Sequence, residues 1–169
     1  SGSAELPATI GFVPEDRGRD SIIPELSLVE NLALRGAGTR HGRINWSDLA
    51  DATRLVIGEF GVRARDEYAL ASSLSGGNQQ KFVLARELAD SPAALVTENP
   101  TRGLDVRAAN DVLDRIRATR NRGAAVVVYS SDIDELLTIA DRVVVCFGNS
   151  VQETPLDPAT IGRAMMGVR

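Results

Sequence analysis

Three near-continuous apolar runs, at 93–97, 124–129 and 143–147, constrain this chain more than any other feature. Stretches with helical patterning separate them, at about 105–122 and 132–140. Apolar strands alternating with helices predict an α/β fold with a mostly parallel sheet covered on both faces. The punctuation agrees with this reading. Asp105 is placed to cap the first of these helices and Gly123 follows its end. Ser131 with Asp134 is the candidate cap of the second. Gly148-Asn149 makes a turn, and Asp157-Pro158 pairs an N-cap with an N1 proline before a last helix.

The first half reads differently. Thr9-Ile10-Gly11-Phe12-Val13 is a short strand stopped by Pro14, and the charged segment 15–20 is a loop. Residues 27–90 read as helical. Ser27 and Glu30 have capping-box spacing. Residues 36–45, with three glycines, form a loop. A second helix starts near Ser47, with Leu49, Ala52, Leu55, Val56 and Phe60 as its apolar stripe, and Gly61 stops it. A third runs from near Gly77 to Ala89 and ends at Ser91-Pro92.

Composition narrows the function classes. A chain of 169 residues is long enough for one domain with a core. A net charge of −4 argues against a nucleic-acid partner, which wants a basic face. The densest basic run, Arg115, Arg117, Arg120 and Arg122, falls near a helix end, where cations suit the helix dipole. No apolar run approaches the roughly 18 residues that span a membrane. Cys146 stands alone in an apolar run and reads as a small core residue, and His41 stands alone in a loop, so neither builds a metal site. Trp46, Met165 and Met166 read as packing residues, and Tyr68 has no evident partner. Ser1-Gly2-Ser3 reads as a cloning scar, which makes the chain an excised fragment.

The chemistry concentrates at Leu74-Ser75-Gly76-Gly77-Asn78-Gln79-Gln80-Lys81. Two glycines let a backbone approach a ligand closely. The helix behind them aims free N–H groups and its positive dipole end at whatever sits there, which suits phosphate. Taken alone, the same residues also fit an ordinary loop-to-helix junction.

Other segments decide between the two. The glycine-rich stretch resembles the signature motif of ATP-binding cassette (ABC) proteins, in the form of sugar and nucleoside importers. Leu95-Val96-Thr97-Glu98-Asn99-Pro100 followed by Thr101-Arg102-Gly103-Leu104-Asp105 resembles the Walker B strand and D-loop. Ser130-Ser131-Asp132 after an apolar strand resembles the switch loop, and Pro14-Glu15-Asp16 after another resembles the Q-loop. The four motifs stand in family order from Ile10 to Gly167. The resemblance implies a partial P-loop NTPase fold with a helical signature subdomain. It divides the chain into a tag or linker at 1–7, a strand and Q-loop-like segment at 8–26, a helical signature subdomain at 27–91, and a Walker B, D-loop and switch subdomain at 92–169.

The departures from the family pattern matter as much. The Walker B aspartate position holds Glu98, leaving it a weak candidate for Mg²⁺. The catalytic glutamate position holds Asn99, whose amide cannot act as a general base. The switch histidine position holds Ser131 and the Q-loop glutamine position holds Glu15. No catalytic residue is expected intact and no metal is expected on the fragment. The resemblance assigns Ser75, Gly76, Gly77, Asn78 and Gln79 to ATP held by an opposing cassette, and Asp105 to the D-loop. It implies ATP and Mg²⁺ in the full transporter, a second cassette and a membrane permease as partners, and a peripheral place on the cytoplasmic face of the cell membrane. The alternatives are an inert scaffolding or coupling module and a non-transport ABC ATPase.

No G-x-x-x-x-G-K-[ST] phosphate loop occurs in the chain, so the Walker A strand is expected to be missing from its sheet. In the family that strand lies between those at 124–129 and 142–147. Its loss predicts either that the 142–147 strand moves beside 124–129 or that two copies exchange elements as a homodimer.

Overall fold

In the computed structural model, residues 5–38 and 40–168 are described, and Ser1-Gly2-Ser3, the scar-like start, lies outside them. Contacts divide the chain into two units, Ser1–Val127 and Val128–Arg169.

The first unit is organised by a three-stranded sheet in the order β1 (Ile10–Val13), β2 (Ala94–Glu98), β3 (Ala125–Tyr129). β1 and β2 are parallel, with Ile10 opposite Ala94 and Val13 opposite Thr97. This register sets the residues that follow both strands, Pro14-Glu15 and Asn99-Pro100, side by side at the carboxyl end of the sheet. Ligands of open parallel sheets collect at such ends. The result is the α/β architecture expected from the apolar runs.

Helices α1 (Arg17–Asp20), α2 (Leu28–Ala33), α3 (Trp46–Phe60) and α4 (Gly76–Leu88) lie between β1 and β2, and α5 (Val106–Asn121) joins β2 to β3. Helix α4 packs on β1, α3 and α5. It buries Phe82, Val83, Leu84 and Ala85, each at most 1% exposed. Its approach to β1 is close: a Cβ on Gly11 would stand 3.0 Å from the Glu87 carbonyl oxygen. A larger residue there would push the helix and strand backbones apart.

Local chemistry starts and stops these helices much as expected. Ser27 and Glu30 form both halves of the capping box on α2. Asn31, fully buried, holds the preceding turn by accepting from the Ile23 N–H at 2.9 Å and donating to the Ile23, Leu26 and Ser27 carbonyls. Asn45, two residues before the expected start near Ser47, caps α3, and Gly61 ends it in the left-handed region. Asp105 caps α5. Arg115 of α5 stacks its guanidinium 4.5 Å from the centre of the Phe60 ring and donates to the Glu59 carbonyl. One member of the basic run therefore fastens α5 to the end of α3. Segment 15–20, expected as a loop, holds the single helical turn of α1, whose Asp16 accepts from the Arg19 N–H.

The second unit contains α6 (Ile133–Ile139), β4 (Val143–Phe147), β5 (Ser150–Thr154) and α7 (Pro158–Met165). β4 pairs antiparallel with β5, not with β3, so the expected shift of this strand beside 124–129 does not occur. The unit satisfies the strand in another way. Phe147 and Ser150 are paired across Gly148 and Asn149, both at positive φ, the geometry of a tight two-residue hairpin. Val143 and Val145 point into a small core with Ile161 and Ala164, flanked by Ile133, Leu137 and Ala140.

That one-sided burial corrects several side-chain expectations. Val144 and Cys146 occupy the opposite face, so Cys146 is exposed rather than a core residue. Met165 and Met166 are 41% and 68% exposed, and Trp46 is half exposed, so none of the three is buried as packing. Asp132 caps α6 in place of Ser131, accepting from the N–H groups of Asp134 and Glu135.

Candidate functional site

Two corners of the first unit carry the residues singled out by the sequence. The first is the start of α4. Ser75 is its N-cap residue, with extended φ and ψ, but makes no side-chain cap. Its hydroxyl instead accepts from the Asn78 amide at 3.0 Å, and the Asn78 carbonyl oxygen accepts from the Arg63 N–H at 2.8 Å. Gln79 donates from its side chain to the Ala71 carbonyl at 3.1 Å. The side chains of the motif thus fasten the loop behind the helix and leave the helix end open. The first N–H groups of a helix have no partner within it, and here they face an exposed Ser75-Gly76 surface.

The two glycines are not demanded by the fold. Neither Gly76 nor Gly77 is among the glycines at positive φ. A Cβ on Gly77 would make ordinary contacts, 3.8 Å from Ala108 and Leu104 side chains. One on Gly76 would meet only the mobile end of Arg17, at 2.9 Å. Glycine within a helix is less favourable than alanine by about 1 kcal/mol, and no internal contact at Gly77 offsets this. The Arg17 guanidinium lies beside Gly76, and Gly77 is half-buried against α5 and the turn before it.

The second corner lies at the carboxyl ends of β1 and β2, where a cleft of about 650 Å³ is lined by Glu15, Asp16, Arg17, Gly18, Asp20, Gln79, Glu98 and Arg102. Here the polar groups meet one another. The Glu15 N–H donates to Glu98 Oε2 at 3.3 Å, and Asn99 Nδ2 donates to Glu15 Oε2 at 2.8 Å. Arg102 forms an ion pair with the other Glu15 oxygen. Asn99 itself sits at φ 41°, an uncommon conformation that asparagine tolerates better than most residues. It turns the chain out of β2 and aims the amide at Glu15.

The corners are joined by Gln80, which is 2% exposed. Its amide donates to the Pro100 carbonyl at 3.0 Å, and its oxygen accepts from Arg17 Nη1 at 3.2 Å. Lys81, next along α4, pairs with Asp111 of α5 at 2.7 Å. That hydrogen bond holds the Asp111 carboxyl below its ordinary range. The structure therefore brings Glu15, Glu98 and Asn99 together and places Ser75 to Gln79 on the adjoining helix start. Asp105 caps α5, accepting from the Ala108 N–H at 2.9 Å. Ser131 belongs to the second unit, exposed in the bend before α6. Among the described residues, no cluster of three or more His, Cys, Asp or Glu is arranged to hold a metal.

Sequence reasoning did not single out Arg17, Gln80 or Arg102. Gln80 and Arg102 lie inside the quoted motifs, but their partners are 63, 20 and 87 residues distant. Only the parallel β1–β2 register could have paired Glu15 with the segment after Glu98.

No known family profile matches the chain. It is 37% identical over 164 residues to the nucleoside import ATP-binding protein NupA of Lactococcus lactis subsp. cremoris, spanning 95% of this chain and 32% of that protein. It is 45% identical over 143 residues to the xylose import ATP-binding protein XylG of Burkholderia ambifaria, spanning 83% of this chain and 27% of the relative. The chain thus spans about a third or less of the length of these relatives. Among solved structures, a dimeric ATP-binding cassette in a post-hydrolysis state bound to ADP and Pi aligns with a TM-score of 0.72 at 24% identity. That alignment covers 88% of this chain and 63% of the other and supports the fold.

Proposed function

The chain belongs to the ATP-binding cassette family, as a homologue of import ATP-binding proteins for sugars and nucleosides, and from that premise we propose that it supplies a signature surface to ATP held by a second cassette. The observation that carries this reading is the open start of α4. Ser75 and Gly76 are exposed there, only the end of the Arg17 side chain stands beside Gly76, and a Cβ on Gly77 would make only ordinary contacts. Ser75 adds a hydroxyl, and the helix end adds N–H groups and a positive dipole, a combination suited to a terminal phosphate. The γ-phosphate of a nucleotide bound elsewhere fits that surface. The coupled process is import of a nucleoside or a simple sugar.

The second corner does little chemistry of its own. Asn99 cannot take a proton from water. The isolated chain is expected to bind ATP weakly and not to hydrolyse it, and calorimetry with Mg-ATP tests this. Micromolar affinity, or turnover abolished by Glu98→Ala, would contradict it.

The partners follow from the same premise: another cassette and membrane permease subunits, with the protein peripheral on the cytoplasmic side. Among the described residues no helix is long and apolar enough to cross a membrane. An apolar patch suited to docking is exposed around α2 and the start of α3, at Ile23, Leu34, Ile44 and Trp46. We assign it, with the 15–60 segment, to the permease. Cysteines introduced at Glu15 or Asp20 should cross-link to the permease, and labelling confined to other surfaces would refute the docking.

The trans role is tested in the assembled transporter by Ser75→Arg. A bulky cation at the helix start blocks closure on the phosphate, so ATPase activity should fall by about 10²–10³, the scale of losing a positioned charge-stabilising donor. Unchanged turnover would remove α4 from the mechanism.

A further inference from the structure

The family resemblance implies Mg²⁺ in the full transporter, and the residues at the carboxyl ends of β1 and β2 can be tested against that ion. Mg²⁺ demands near-octahedral oxygen coordination at about 2.0–2.1 Å. The carboxylates nearest the family's metal position are Glu98 and Glu15, and both are already engaged. Glu98 Oε2 accepts from the Glu15 N–H at 3.3 Å. One Glu15 oxygen accepts from the Asn99 amide at 2.8 Å and the other is paired with Arg102. Asn99 presents its N–H₂ toward the cleft's carboxylate, and an N–H₂ group cannot ligate a cation. The other two acids of the cleft are also occupied: Asp16 accepts from the Arg19 N–H at 3.1 Å, and Asp20 pairs with Arg19 at 3.5 Å. Two guanidinium groups, Arg17 and Arg102, line the same space. The residues do not fit a divalent cation.

We infer that Arg102 is a tethered cation standing where a metal would otherwise be needed. With Asn99 it neutralises and orients Glu15, fastening the loop after β1 to the turn after β2. The turn leads directly to Asp105, the cap of α5. The fastening is built from protein groups alone and is therefore indifferent to Mg²⁺. Arg102 is 71% exposed in its side chain, so its pairing adds little to stability. Its effect is on access: it occupies the carboxylate and repels a second positive charge. Without Arg102, the Glu15 oxygen it pairs with would lose its cation, beside Glu98 on the adjacent strand end.

The test is Mn²⁺ binding to the full-length protein that carries this chain, free of nucleotide, read from the electron paramagnetic resonance of the unbound ion. Glu98→Gln should leave the number of bound Mn²⁺ unchanged. Arg102→Met should add one bound Mn²⁺ per chain, and Arg102→Met with Glu15→Gln should abolish the added ion. Arg102→Lys, which keeps the charge, should exclude Mn²⁺ as the parent does. Loss of a bound ion in Glu98→Gln, or no gain in Arg102→Met, would overturn the inference. No nucleotide is present, so either result is independent of what the α4 surface binds.

Discussion

The start of α4 and the carboxyl ends of β1 and β2 are adjacent, yet they solve opposite problems. At α4 the side chains of Asn78 and Gln79 bond backwards into the supporting loop, and the helix end is left bare. At the strand ends Glu15, Glu98, Asn99 and Arg102 bond to one another, and little is left for a ligand. On the proposed reading, the first receives a group brought from outside. The second, on the inference drawn above, holds its carboxylates with its own cation. The contrast teaches that two adjoining corners can be held by different residues, so a change in one need not disturb the other.

The largest effect should come from crowding the open corner. Gly77→Asp puts an anion and a Cβ in the phosphate's place. In the assembled transporter it should lower ATP turnover by about 10²–10³, with the fold intact by circular dichroism. Asn99→Ala, in the closed corner, should change turnover less than threefold, since an amide at that place performs no proton transfer. Equal losses in the two variants would erase the distinction between the corners.

The next largest concerns the joint. Gln80→Leu removes a buried amide that serves Pro100 and Arg17 at once. It leaves the Pro100 carbonyl unpaired, which should destabilise the protein by about 1–3 kcal/mol in urea unfolding. If Gln80→Leu lowers stability without lowering turnover, the corners are joined but not coupled. Smaller again is Ser27→Ala, which removes one half of the capping box on α2 and should cost about 1 kcal/mol. It should leave both corners working, and a loss of turnover would show that α2 positions one of them.

The smallest effect is electrostatic. Lys81 lowers the Asp111 carboxyl from its ordinary 3.8. A lowered folded value means the pair stabilises fully above that ordinary value and is lost as pH falls through the lowered one. Asp111 is half exposed, so the contribution is that of a surface pair, about 0.2–1 kcal/mol. Asp111→Asn should flatten the acid limb of the melting temperature slightly, and an unchanged limb would remove the pair from the support of α4.

How much of this was legible depended on the range of the interaction. Ser27 with Glu30, Asp105 before α5 and Asp157-Pro158 before α7 are local, and the structure has each of them. The apolar runs at 93–97 and 124–129 gave two strands of the three-stranded sheet, whereas the run at 143–147 pairs antiparallel with β5. They did not show that β4 buries one face only, because Val143-Val144-Val145-Cys146 reads the same for a strand covered on one side or on both. The partner strand β5 carries Gln152 and Glu153 and no apolar run, so it offered no signal of its own. Glycines 76 and 77 marked a helix entry, and they open α4. The ion pair of Glu15 with Arg102 was hidden by 87 residues of intervening chain, and only the β1–β2 register exposes it.

The most direct test of the contrast is orthovanadate-promoted photocleavage of the full-length protein trapped with Mg-ATP. Vanadate stands in for the terminal phosphate and cuts the backbone that touches it. If α4 receives that phosphate, light should cut this chain within Ser75-Gly76-Gly77 and leave Glu98-Asn99 whole. Cleavage at Glu98-Asn99 with an uncut Ser75-Gly76-Gly77 would contradict the assignment of the open and closed corners.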